Sequence, residues 1–447
     1  MLPHGNSKRE TPFYPTLPST MVAIKEQCLS GQIGPKKIVS AVSSMVGGVL
    51  SAADACELPR NEQQVSDLKQ RKKKVAVAGV TTSCDELAVV MQKAYLEDQR
   101  FIREVRTLRE PAIIVALDRQ LDDIVQFCTD ENLFGILTVD PTFNLGDFDV
   151  TVTTYRHLLL KCRRTQHHPA FIGPVMVHFK KSFSTYHFFS STLVGLRPKL
   201  SSLKSFGTDG EVALYQGFKH SFPTAIHLLC SIHARRNVTS KLREFGVCES
   251  VQRRIIGDIF GKQVGTKYFE GLVDAVSEQQ YENGLQSLCD RWKLFDTHVG
   301  GPVHTFIKWY LQFKSSLVKE GLLRCKRQSA GLGNPPSAFT TNASESINAL
   351  LKNKLDYKKQ ELSGFLDKLK EIIDEQEREL ERAVIDCGKY QFRDDYQHLI
   401  KQQNEWFLRM SASQREAHLQ KVASAKLQEN PASKHLHLSF QHEYIYK

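Results

Sequence analysis

The sequence has no Cys-x-x-Cys pair, no compact cysteine framework and no long unbroken apolar run. Its ten cysteines are scattered over 447 residues, the usage expected of reduced thiols inside a cell rather than of a disulfide scaffold. The most apolar long window, Ile38 to Ala55, is broken by Ser40, Ser43, Ser44, Gly47, Gly48 and Ser51, which makes it a poor membrane span. No membrane partner is expected. Residues Met1 to Glu10 lack the apolar core of a secretory signal. No internal repeat is present. Acid is scarce relative to base: 49 Asp and Glu stand against 60 Lys and Arg, a formal charge of +11. That excess favours a polyanionic partner, nucleic acid first.

What is there has an ordinary globular balance, 41% hydrophobic and 24% charged, in a chain long enough for two or three domains. Residues 1–33 read as a polar, proline-bearing tail. Residues 34–80 read as a small helical region. There Ile38, Val39, Val42 and Met45 share a helix face that Gly47-Gly48 stops, and a second helix is capped by Asn61. That second helix runs into Lys69-Gln-Arg-Lys-Lys-Lys74. Two short helices ending in a basic run suit a DNA-binding module with Lys72, Lys73 and Lys74 on phosphates, or a solvated linker helix. The run also suits a nuclear import signal, so the nucleus is the expected location.

Residues 81–248 alternate between strand and helix patterns. A helix is predicted over Asp85–Tyr95, a strand over Ala112–Leu117 and a short helix over Leu121–Cys128. Strands follow at 134–140, 150–155, 157–162 and 173–179, then a helix at 184–194. A strand at 203–209, a helix at 210–220, a strand at 225–230 and a basic helix at 232–245 complete the block. Three antiparallel-looking strands followed by helix–strand–helix–strand–helix is the element order of an RNase H-like mixed sheet flanked by helices. Residues 249–335 read as an all-helical insertion. Residues 336–395 hold the end of the core and an amphipathic helix (Leu362, Phe365, Leu366, Leu369, Ile372, Ile373, Leu380) expected to pack on its own core. Residues 396–447 form a C-terminal helical region and tail.

Three acids occupy places where they can converge. Asp140 ends a strand, with Phe134, Ile136 and Thr138 on its face by period-two alternation. Asp209 ends a second strand in the same way. Glu345 lies in the first turn of a helix, with Asn348 and Lys352 on its side of that helix. Carboxylates that converge can hold the divalent ions that drive in-line attack at phosphorus, and Mg²⁺ needs only a few of them. Each acid also has a plainer reading. Asp140 before Pro141 suits a turn, Asp209-Gly210 is a turn dipeptide or a helix cap, and Asn342 with Glu345 has capping-box spacing.

The chain resembles Mutator-like transposases of the DDE superfamily. The resemblance rests on Asp140-Pro-Thr-Phe-Asn-Leu-Gly146, Pro174-Val-Met-Val-His-Phe-Lys180, Thr208-Asp-Gly-Glu211, Leu229-Cys-Ser-Ile-His233 and Thr341-Asn-Ala-Ser-Glu-Ser-Ile-Asn348. These occur in the family's order over roughly residues 80–390. The resemblance implies an RNase H-like core with a helical insertion before the last acid. It implies Asp140, Asp209 and Glu345 as metal ligands and catalytic residues, with Mg²⁺ or Mn²⁺ as cofactor. It also implies cleavage of double-stranded DNA at terminal repeats, followed by strand transfer into target DNA. A homo-oligomer is the expected assembly. Cys230 and His233 match the family's Cys-x-x-His. Two ligands do not make a zinc site, and these residues read as an active-site wall or DNA contact, together with Asn348 and Lys352. Phosphate contacts are expected from Arg235, Arg236 and Lys241. The zinc-binding recognition domain usual in such enzymes is missing, so the alternative reading is a domesticated, catalytically inactive DNA-binding or regulatory protein.

Overall fold

A computed structural model describes residues 15–27, 35–48, 51–68, 83–96, 101–142, 145–297 and 302–427. The chain divides into two compact units, one ending at Ala88 and one beginning at Val89.

The first unit contains α1 (Pro18–Gln27), α2 (Pro35–Met45) and α3 (62–68). Ile24, Ile38, Val42 and Val65 form its small core. The expected polar tail therefore includes a packed helix. Asn61 caps α3 as its position suggests, its Oδ1 accepting the Gln64 N–H at 2.9 Å. Gly47 and Gly48 both take φ of +74° and end α2, a conformation that costs glycine little. Met45, expected on the packed face, is 63% exposed. Lys72, Lys73 and Lys74 lie outside the described residues.

After α4 (Ser83–Leu96), the second unit is organised on a seven-stranded sheet. Its strands are β1 (Ile102–Arg106), β2 (Ala112–Val115), β3 (Leu137–Thr142), β4 (Asp149–Arg156), β6 (Ala170–His178), β7 (Ser205–Thr208) and β8 (Ile226–Leu229), in the order β1-β2-β6-β4-β3-β7-β8. The segment β5 (Leu160–Cys162) leaves this sheet to pair with β11 (Tyr390–Phe392). Strands β3, β4 and β6 are antiparallel neighbours, whereas β7 and β8 run parallel to β3 and to each other. Parallel neighbours need crossovers, supplied by α6 (Phe183–Leu196) before β7 and α7 (Val212–Ser221) before β8.

Both sheet faces are covered, so the central strands are buried throughout rather than alternately. On one face Leu137, Val139, Met176 and Phe206 join a core with Leu121, Ile124 and Phe127 of α5 (Asp118–Cys128), Phe189 of α6 and Phe218 of α7. The opposite face carries α14 (Asn342–Lys354), whose Ser344 hydroxyl lies 2.7 Å from that of Thr154. The 23-residue α15 (Leu362–Val384) buries all seven of its predicted apolar residues.

The predicted strand at 157–162 shrinks to Leu160–Cys162, because His157 to Leu159 turn inward as buried loop residues. The insertion is not all-helical. Between α9 (Glu249–Phe260) and α10 (Glu278–Lys293) stands a hairpin, β9 (Lys262–Val264) and β10 (Lys267–Phe269). Helices α8 (Ser231–Glu244), α11 (Val303–Phe313), α12 (Ser315–Gly321) and α13 (Arg324–Ser329) surround it in chain order. The insertion has its own core, centred on Ile255, Tyr281, Trp292, Phe306 and Tyr310. The last helix among the described residues is α16 (Ala412–Ala423).

One glycine seats α14. A Cβ on Gly207 would stand 2.1 Å from the ring of Phe339, which precedes that helix. Gly207→Ala is expected to destabilise the protein by about 1–3 kcal/mol through overpacking, read as a lower urea midpoint at constant slope.

Candidate active site

The sheet register brings two acids level. Leu137 pairs with Phe206 and Thr138 with Gly207. Two residues further along, on the face opposite the α5–α7 core, the same register aligns Asp140 with Asp209, which follows β7 directly. Asp140 is only 6% exposed. Its carboxyl is pushed up to about 7 by burial first, then by the neighbouring charges of Asp209 and Glu345; His233 and Asn348 pull against the rise. Three acids are therefore electrostatically coupled around the end of β3.

The turn reading of Asp209 also holds. Its Oδ1 accepts the Glu211 N–H at 3.1 Å, and Gly210 takes φ of +102°. The same turn releases the carboxylate from the strand and aims the chain into α7. For Glu345 the capping-box reading fails. Thr341, not Asn342, is the N-cap of α14, and no side-chain cap bond forms there. Glu345 instead stands 3.8 Å from His233 Nε2, with its carboxylate about half exposed.

Asn348, one turn beyond Glu345, donates Nδ2–H to Asp140 Oδ2 at 2.7 Å. Its buried Oδ1 has no hydrogen-bond partner among the described residues. Lys352 follows one turn later and is half-buried.

Cys230 and His233 sit where β8 passes into α8. Thr341 hydroxyl ties them to α14. It donates to Cys230 Sγ at 3.4 Å and lies 3.4 Å from His233 Nδ1. Burial pushes the Cys230 thiol up, but hydrogen bonds from His233 and Thr341 outweigh it and the net direction is down. His233 is raised, chiefly by its bond to Cys230 and further by Asp209 and Asp140. Both shifts run in the direction that favours the charged form of each group, at the rim of the acid cluster.

The basic residues of α8 divide. Arg235 donates to the Gly261 carbonyl at 3.4 Å and lies over the Phe260 ring at 5.3 Å. Lys241 pairs with Glu244 at 2.7 Å. Arg236 is exposed. Two of the three therefore hold the fold together as well as carrying charge.

Three further residues belong to this region. Thr341 bridges two elements. Glu211 accepts the Tyr186 hydroxyl at 3.0 Å and is raised by burial and by Asp209. Lys314, at the end of α11, is lowered by burial while Asp209 holds it up. Glu211 and Thr341 lie inside motifs visible in the sequence. Lys314 arrives from the insertion, and no local pattern marks it.

As the side chains stand, no three His, Cys, Asp and Glu among the described residues close around one metal ion. The donor chemistry nevertheless fits a hard divalent cation. Asp140, Asp209, Glu345 and the Asn348 amide oxygen are all oxygen donors, one of them orphaned. A buried acid raised by acidic neighbours, as Asp140 is, gains most from added positive charge. A cavity of about 150 Å³ lies elsewhere on the same face beside Ile136, Thr138, Thr154, Arg156, Phe339 and Arg393, and none of the three acids lines it. No family model matches the chain, and no curated protein matches it.

Proposed function

We propose that this protein has an RNase H-like core and is a metal-dependent DNA transposase of Mutator-like type. It would cleave DNA at terminal repeats and join the ends to target DNA. One observation carries the reading: Asp140 is buried at the end of β3, raised by Asp209 and Glu345 and held by Asn348. A carboxyl perturbed by specific acidic neighbours is the kind of group that catalytic sites assemble. The antiparallel β3–β4–β6 set with β7 and β8 parallel beside β3 supports the fold assignment.

In this reading Asp140, Asp209 and Glu345 hold the divalent ions. Bound ions supply activation of the attacking oxygen and stabilisation of the leaving oxygen. Asn348 keeps Asp140 Oδ2 in one orientation. His233 sits beside the half-exposed Glu345 and limits its swing. Lys314 adds positive charge beside Asp209.

Purified protein is expected to nick duplex DNA bearing its terminal repeats when Mg²⁺ or Mn²⁺ is added, and to leave it intact in EDTA. Salt-sensitive binding without nicking would replace this reading with the domesticated, inactive one. Preferential cleavage of an RNA–DNA hybrid would replace it with a nuclease of other specificity.

A further inference from the structure

The insertion carries a projection that the catalytic reading leaves unused. Strands β9 and β10 join through Gly265-Thr266, with Gly265 at φ +58°. Glycine at the first central position suits a two-residue hairpin loop. Lys262 pairs with Phe269, Gln263 with Tyr268, and Val264 with Lys267. Alternation puts Lys262, Val264, Lys267 and Phe269 on one face, with Gln263 and Tyr268 on the other. The Tyr268 hydroxyl donates to Asp274 Oδ2 at 2.8 Å. Asp274 in turn meets Arg327 at 3.4 Å. The Tyr268 hydroxyl thus ties the hairpin to the domain, while all six strand residues stay exposed, the four-residue face among them.

That four-residue face has an unusual composition for solvent. Val264 is 56% exposed and Phe269 48%, and the Lys262 ammonium lies 5.6 Å from the Phe269 ring. No acid occurs between Lys262 and Phe269. A free two-stranded hairpin is marginal in water, so one anchored through Tyr268 and Asp274 is held ready for a partner.

We propose that this face is a DNA-binding ribbon that enters a groove of duplex DNA, with Lys262 and Lys267 on the flanking phosphates and Phe269 and Val264 against the groove. The proposal rests on DNA being the substrate. The major groove admits a two-stranded β-ribbon, and lysines on such a ribbon reach the backbone on either side. A protein partner fits less well. A specific protein interface needs roughly 1,000 Å² or more, and an eight-residue hairpin with two exposed apolar side chains on that face offers far less. The location agrees: α8, whose first turn holds His233 beside Glu345, also carries Arg235, which bonds to Gly261 at the root of the hairpin. Duplex gripped by the ribbon would thus be held by the helix that borders the acids.

The test is fluorescence anisotropy of the full chain with a labelled 40-bp duplex across a KCl series. Lys262→Ala/Lys267→Ala is expected to flatten the plot of log K against log salt by about 1.8, two phosphate contacts at roughly 0.9 each, and to weaken low-salt binding about tenfold or more. Phe269→Ala is expected to keep the wild-type slope while weakening binding several-fold. All three side chains are exposed, so unchanged circular dichroism and melting are expected. Wild-type affinity and slope in the double variant, with wild-type protein binding DNA, would overturn the ribbon and leave the catalytic reading standing. Altered sedimentation of the variants with unchanged DNA affinity would assign the face to a protein contact instead. Failure of the wild-type chain to bind DNA at all would remove both readings.

Discussion

Asp140→Asn is expected to eliminate metal-dependent nicking, by about 10³-fold or more, while raising the melting temperature of the metal-free protein. Both effects come from the same burial. In the proposed function the ionised carboxylate would hold a cation, and losing that ligand would remove several kcal/mol of transition-state stabilisation. Without a cation, that carboxylate is buried beside two other acids. Lifting a carboxyl from its ordinary 3.8 to about 7 penalises the ionised folded state by on the order of 4 kcal/mol at neutral pH. The sign is fixed by linkage. The penalty is absent below pH 3.8, grows as pH rises toward 7, and is complete above it. An asparagine carries no charge and keeps most of the shape, so part of that penalty disappears. Differential scanning fluorimetry in EDTA should show the variant melting several degrees higher. Mg²⁺ should raise the wild-type melting point and leave that of the variant nearly unchanged. A variant that nicks normally, or that melts lower than wild type in EDTA, would remove Asp140 from the site.

The second large effect is loss of stability in acid, carried by buried histidines, one of them bonded to Thr208 directly before Asp209. His227 is buried, bonded through Nε2 to the Thr208 hydroxyl at 2.9 Å, with no partner for Nδ1 among the described residues. Burial pushes it down to about 3. His157 is wholly buried between Phe127 at 4.7 Å and Phe171 at 5.2 Å, and neither ring nitrogen has a hydrogen-bond partner among the described residues. Burial drives it well below the ordinary range too. A histidine with a lowered folded value stays neutral in the native state while its unfolded counterpart takes up a proton. Stability is therefore intact above about pH 6.5 and declines as pH falls through that value toward the folded one. For His227 alone the loss at pH 4 is on the order of 3 kcal/mol. Asp140 works in the opposite sense over the same window, so the comparison has to be made between variants. His227→Gln should show a shallower decline of the urea midpoint from pH 6.5 to 4 than the wild-type chain. Parallel curves for the two proteins would show that His227 does not carry the loss.

Much of the core was legible because its strands are built from β-branched runs. Val150 to Tyr155 and Gly173 to His178 form strands where such residues concentrate. β1 was not legible. Ile-Arg-Glu-Val-Arg at 102–106 is charged and only half-buried because it is the outer strand of the sheet, and edge positions tolerate charge that the interior does not. The start of β3 was placed three residues early because Phe134 and Ile136 are as apolar as a strand; they line a cavity beside the sheet instead. The β9–β10 hairpin was missed because three-residue strands exposed on every residue have no buried face to impose a period.

At the site, strand-end logic brought Asp140 and Asp209 together, since a parallel register depends on nothing but the two strands. It did not show that Glu345 faces His233 rather than capping its own helix, nor that Asn348 holds Asp140. Those contacts depend on how α14 lies across the sheet, where Phe339, just before that helix, packs against the space Gly207 leaves by having no side chain.

The bond between Asn348 and Asp140 joins residues 208 positions apart. At synthesis rates of about 5–20 residues per second, that separation corresponds to roughly 10–40 seconds on the ribosome. Strands β3 to β8 leave the exit tunnel long before α14 exists. A nascent chain with its sheet assembled still lacks the third acid and the amide that orients the first. Whatever chemistry the finished site performs is withheld until α14 has been made, and any product that stops short of Asn342 never acquires it.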